Sequence, residues 1–171
     1  MGTCCQGQQN PSLQLRDPMI RFDVERRMPL KGTLVYREAE YSFDTEPRSE
    51  RGVTSLLLND VQLELDDEGQ VLYVWGLCPH TSWVETDVNG PPAQPGVLRA
   101  VGIELTPGAS LRINDQARWS VTVNRRSGWI CLGDPSIITG ECIYFAPGSK
   151  AALLKGEIKA LWLNPKGITQ G

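Results

Sequence analysis

Along most of this chain, apolar and polar residues alternate one for one. In the stretch 19–25, Ile20, Phe22 and Val24 alternate with Arg21, Asp23 and Glu25; further on, Val61, Leu63 and Leu65 alternate with Gln62, Glu64 and Asp66. Leu111 and Ile113, then Trp119, Val121 and Val123, keep the same period. A period of two places one face of a strand on a core and the other in solvent. The pattern predicts strands at 19–25, 30–36, 53–65, 71–77, 97–105, 111–113, 118–123, 129–132, 141–146 and 156–163. In the last, Ile158, Ala160 and Trp162 are expected on one face, with Leu161 and Leu163 on the other.

Turn chemistry separates the strands. Asp66-Asp67-Glu68-Gly69 predicts a hairpin turn between 61–65 and 71–77, since Gly69 accepts a positive φ. Asn114-Asp115-Gln116 predicts a second hairpin, joining 111–113 to 118–123. Only 149–155 leaves room for a helical turn or two. The expected fold class is mainly β: a single-domain antiparallel β-sandwich or barrel with at most one or two short helices. The expected domain limits are a disordered leader over 1–15 and one all-β domain over 16–171. Its longest loop is the Pro/Gly-rich run at 89–96, where three prolines and two glycines support neither ladder nor helix.

Composition narrows the function classes. The chain has 171 residues with net charge −3, so no global positive field draws it to nucleic acid or anionic lipid. No run of eighteen apolar residues predicts a membrane helix, and the first ten residues lack the basic and apolar regions of a secretory signal. Gly2 with Cys4 and Cys5 suggests lipidation, but Gln6 stands where that motif takes Ser or Thr, so the segment reads as a polar leader. Five cysteines, an odd number, read as reduced thiols in a cytoplasmic protein.

His80 is the only histidine and follows Cys78 and Pro79. A thiolate–imidazole pair would need Cys78, Cys131 or Cys142 beside it, with Asp134, Glu85 or Asp87 as orienting carboxylate. The bland alternative is a buried, inert thiol and a surface histidine, and it has the better case. No metal-ligand spacing and no cofactor motif occurs, so neither metal nor cofactor is expected. Among five tryptophans, Trp119, Trp129 and Trp162 fall in apolar strand patterns and read as core, while Trp75 and Trp83 flank the His80 loop.

The expectation is a non-catalytic cytoplasmic β-domain that binds a macromolecular partner, a protein and preferably a basic one, with no nucleic acid and no membrane. The binding residues expected are Trp75, His80, Trp83, Glu85 and Asp87, with Trp83 as the aromatic anchor. An adaptor or an immunity-type protein, similar to toxin-neutralising proteins in size and charge alone, would fit. The alternative is a small-ligand-binding β-barrel, or a Cys/His-dependent enzyme using the 78–87 loop.

Overall fold

The computed structural model describes residues 20–113, 117–137 and 140–169. The expected leader and the Gly2/Cys4/Cys5 segment lie outside the described residues. The strands are β1 (Arg21–Glu25), β2 (Thr33–Arg37), β3 (Ser42–Glu46), β4 (Thr54–Leu58), β5 (Val61–Leu65), β6 (Val71–Leu77), β7 (Val84–Glu85) and β8 (Gln94–Pro95), then β9 (Val97–Val101), β10 (Ser110–Arg112), β11 (Val121–Asn124), β12 (Trp129–Gly133), β13 (Glu141–Ala146), β14 (Ser149–Leu154) and β15 (Glu157–Leu163). Two single 3₁₀ turns, Glu38–Glu40 and His80–Ser82, are the only helical elements among the described residues.

The strands form a six-stranded sheet in the order β10-β4-β5-β6-β3-β2, a seven-stranded sheet in the order β7-β11-β12-β15-β14-β13-β8, and a β1-β9 pair. Most pairings are antiparallel, and the arrangement is sandwich-like. One apolar cluster joins the sheets: Leu34, Phe43, Leu56, Leu63 and Val74 from the first pack with Val123, Ile130, Leu132, Phe145, Leu161 and Leu163 from the second. Neither sheet closes into the barrel of the alternative reading, because each ends in an edge strand. The seven-stranded sheet ends in the two-residue β7 and β8, both parallel to their neighbours, and the six-stranded sheet ends in β10, parallel to β4, and in β2.

The acidic turn forms as expected. Asp66 Oδ1 accepts the backbone N–H groups of Glu68 at 3.0 Å and Gln70 at 2.9 Å, and Gly69 has φ 85°. β5 and β6 pair antiparallel across it. The other expected hairpin does not form: β10 pairs parallel with β4, and β11 pairs with β12 and β7. Local alternation around 111–123 could not reveal which distant strand takes each segment. The expected strand 53–65 is a hairpin, β4 and β5, turned at Asn59 in the left-handed region (φ 53°). The strand β3, unexpected from sequence, fills the interval after the Glu38–Glu40 turn.

The helical turns expected over 149–155 are replaced by β14. Its Ala and Lys content favours a helix, but it lies between β13 and β15 and five of its six residues are buried, so sheet packing overrides propensity. The expected faces of 156–163 also change. A register shift between Ala152 and Leu153 leaves Lys159 unpaired, so Ile158 joins Leu161 and Leu163 in the main core. Ala160 and Trp162 turn to the outer face, where they cluster with Cys131 and Ala152.

Candidate functional site

The structure collects part of the predicted site at one end of the sandwich. The 3₁₀ turn beginning at His80 follows β6, and Pro79 ends ladder pairing there. Tyr36, on β2 and almost fully buried, anchors the turn: its hydroxyl donates to the Cys78 carbonyl at 2.7 Å and accepts the His80 backbone N–H at 3.1 Å. His80 Nδ1 lies 3.3 Å from the same hydroxyl. The rings pack in layers. Trp83 sits 4.9 Å from Tyr36 and 6.4 Å from Phe43, while His80 stacks on Tyr41 at 5.1 Å.

Trp83 is therefore half-buried against the core, as a prop for His80 and Tyr41. Its indole N–H is buried and has no hydrogen-bond partner of ordinary geometry among the described residues, although it lies near enough to Cys78 to favour the thiolate slightly. Burial outweighs this effect and pushes the Cys78 thiol up to about 11. Burial likewise pushes the Tyr36 hydroxyl up to about 12. A thiol that stays protonated is a poor nucleophile, and the His80 nitrogen that faces inward meets a phenol.

The remaining predicted residues divide. Glu85 pairs with Arg125 at 2.8 Å and is exposed on β7. Asp87 is exposed in a shallow cleft with Asn89, Asn124, Arg126 and Ser127. Trp75 is not part of the cluster. It lies opposite Gln62 on the outer face of the six-stranded sheet, where its Nε1 donates to Glu64 at 3.0 Å and Arg48 covers the ring at 5.2 Å. A larger groove of about 620 Å³ has Ile113, Trp119, Pro135 and Ile158 among its walls, with Arg118, Asp134, Glu157 and Lys159 also lining it.

Tyr41 and Leu77 are contributors that the sequence reading missed. Tyr41, 42% exposed, has φ 54° at the exit of the first 3₁₀ turn and accepts the Cys78 N–H. Leu77, 56% exposed, pairs with Ser42 beside it. Leu77 ends a strand that reads as wholly apolar, and nothing in its spacing marks it as exposed. Tyr41 carries a weak signal, an aromatic closing the charged run Arg37-Glu38-Ala39-Glu40 that Tyr36 opens. Val84, 62% exposed, lies next to Trp83. Glu38 is held below the usual carboxylate range by hydrogen bonds from the Thr169 N–H and hydroxyl.

The Pro-rich loop lies across the outer face of the seven-stranded sheet. β7 joins one edge and β8 the other, so residues 86–93 strap over the strands between. Six strand spacings of ~4.8 Å span roughly 29 Å, and nine residue steps of ~3.3 Å reach about 30 Å, which leaves little slack. Pairing aligns Val84, Thr122, Cys131, Trp162, Lys150, Tyr144 and Pro95 in one row across the sheet. The strap follows that row. Asn124 donates to Asn89 at 3.0 Å, and Gly90 packs so closely that a Cβ would stand 3.0 Å from Trp162 and 2.8 Å from Lys150 Cε.

Lys150 is unusual within the row. It is 7% exposed, and its ammonium donates to the Pro91 carbonyl at 2.7 Å and lies 4.1 Å from the Trp129 ring centre. No carboxylate of the described residues pairs with it, and desolvation lowers its pKa. Trp162 Nε1 and Thr122 Oγ1, on the same face, are buried without partners among the described residues. Each such group costs about 1–3 kcal/mol.

Cys78, Cys131 and Cys142 are free thiols. No helix among the described residues is long and apolar enough to cross a membrane, and no group of three metal-ligating side chains occurs among them. The chain matches no protein-family model, no curated protein and no solved structure.

Proposed function

We propose that this protein is a non-catalytic, cytoplasmic β-domain that docks a protein partner through the end of the sandwich formed by Tyr41, Leu77, His80 and Val84. The observation that carries this reading is an exposed Tyr41 stacked on His80, in a turn held from below by Tyr36 and Trp83, with two further exposed apolar side chains at its borders, Leu77 at the end of β6 and Val84 at the start of β7. Preorganised aromatic and aliphatic groups lose little entropy on docking. Glu40 lies exposed on the adjoining turn and Asp87 on the strap, so the partner would offer an apolar side chain flanked by basic ones. Arg37 and Arg125 are nearby but already engage carboxylates. Free thiols at Cys78, Cys131 and Cys142 support a reducing compartment. An adaptor or an immunity-type protein would use such a surface.

The test compares capture by immobilised wild-type protein, Leu77→Asp and a control, Leu111→Asp, which changes an exposed leucine on β10. The reading predicts a protein retained by wild type and control but lost with Leu77→Asp, at equal melting temperatures. Equal retention by all three would overturn it. The small-ligand alternative rests on the groove beside Trp119. Ligand-induced protection there, with no effect of Leu77→Asp, would favour it.

A further inference from the structure

Lys150 is a buried cation without an anion among the described residues, and the strap that covers it offers only a neutral carbonyl. Beside it on the same face, Trp162 Nε1 and Thr122 Oγ1 have no hydrogen-bond partner among the described residues. Each group would be better satisfied by a covering segment that carried a carboxylate. The strap itself shows what shape of segment fits the row: an extended, proline-bearing chain whose ends pair parallel with β11 and β13. It is also lightly fastened. Each end holds by a two-residue pairing and one exposed side-chain contact, Arg125 to Glu85 and Arg26 to Gln94, and residues 86–93 between them are tied by hydrogen bonds from Thr86 N–H to the Val123 carbonyl, from Asn124 to Asn89 and from Lys150 to the Pro91 carbonyl.

We propose that residues 86–93 form a displaceable cover, and that an extended acidic peptide of a partner protein docks in their place along Thr122, Cys131, Trp162 and Lys150, its carboxylate pairing with the Lys150 ammonium. This row lies on the outer face of the seven-stranded sheet, whereas Tyr41 and Leu77 adjoin β3 and β6, and Val84 borders both; the Cys131 and peptide readouts do not use Leu77, so either proposal can fail without the other. Local opening of a weakly tied segment does not require global unfolding. Charge complementarity selects the peptide: Lys150 supplies the unpaired positive charge, and the acceptor that Trp162 lacks is one a carboxylate provides.

Cys131 reports the opening, since it is fully buried in the covered row. Its maleimide labelling, located by peptide mass mapping on the native full chain, is expected to run faster than global unfolding. Asn89→Ala should raise it about 2- to 10-fold by removing one hydrogen bond. The docking probe is a fluorescent synthetic peptide with the sequence of residues 84–95 and glutamate at the position of Pro91. Its anisotropy should rise on binding wild type, and it should accelerate Cys131 labelling. The same peptide with glutamine there should bind at least 10-fold more weakly, which keeps the test independent of whether Lys150→Met folds. Labelling of Cys131 only at the unfolding rate would overturn the displaceable cover. Equal binding of the two peptides, or binding of neither, would overturn the acidic occupant.

Discussion

Replacing Trp83 by alanine tests whether this side chain is a prop or a free anchor. A fully buried tryptophan removes about 150–250 Å² from water, worth roughly 4–6 kcal/mol at ~25 cal/mol/Å². Trp83 has most, but not all, of its surface covered against Tyr36 and Phe43, which reduces that to about 3–4 kcal/mol. Its buried indole N–H has only the Cys78 sulfur near it among the described residues, so removing it returns about 1 kcal/mol. The net loss expected is about 2–3 kcal/mol. In a chain of 171 residues this corresponds to roughly 5–12 °C in melting temperature. Thermal and urea denaturation of wild type, Trp83→Ala and Trp83→Phe would measure it, with Trp83→Phe intermediate. A loss below about 0.5 kcal/mol for Trp83→Ala would refute the packing argument and return Trp83 to the role of exposed anchor.

Gly76→Ala is expected to cost more than about 3 kcal/mol, because φ is 113° and the new Cβ would lie 2.6 Å from the Asp60 carbonyl; urea denaturation checks it. Asp66→Ala should lose about 2–4 kcal/mol, since this buried carboxylate holds the turn N–H groups of Glu68 and Gln70 and pairs with Arg51; the same assay applies. Tyr36 has a folded pKa of about 12, above its unfolded value near 10. Its contribution is therefore full below pH 10 and declines between pH 10 and 12, by up to about 1.4 kcal/mol per pH unit. Tyr36→Phe should flatten that part of an alkaline stability curve. Cys78, with its thiol pushed up to about 11, should resist iodoacetamide at pH 8 in the folded protein, as read by intact mass and peptide mapping.

Strands whose alternation faces one core were legible in the sequence: β1 and β5 fall where the period of two placed them, and β12 and β13 fall where turn residues bounded apolar runs. The Asp66–Gly69 turn was legible because its chemistry is local. What failed depended on distant partners. Nothing in Leu111 and its neighbours says that β10 joins β4 in parallel, and the lysine and alanines of β14 take their strand geometry from the strands on both sides. The extra residue at Lys159 exchanged the faces of β15, which no period-two reading foresees. At the candidate site, His80, Trp83 and Glu85 were placed near one another by chain proximity. Trp75 was near in sequence but lies farther up β6, on the outer face of the six-stranded sheet, where Glu64 and Arg48 hold its ring. Tyr41 joins His80 only through the β3–β6 pairing, and Lys150 meets the Pro-rich loop only because that loop crosses the sheet.

Hydrogen–deuterium exchange on a complex with a partner recovered through the Leu77→Asp comparison tests the central claim most directly. The account predicts that binding slows exchange in 38–42 and 77–85, the segments that carry Tyr41, Leu77, His80 and Val84, and leaves the outer strands of the six-stranded sheet around β10 unchanged. Protection confined to β10, to the groove beside Trp119, or to any surface that excludes both segments would contradict it.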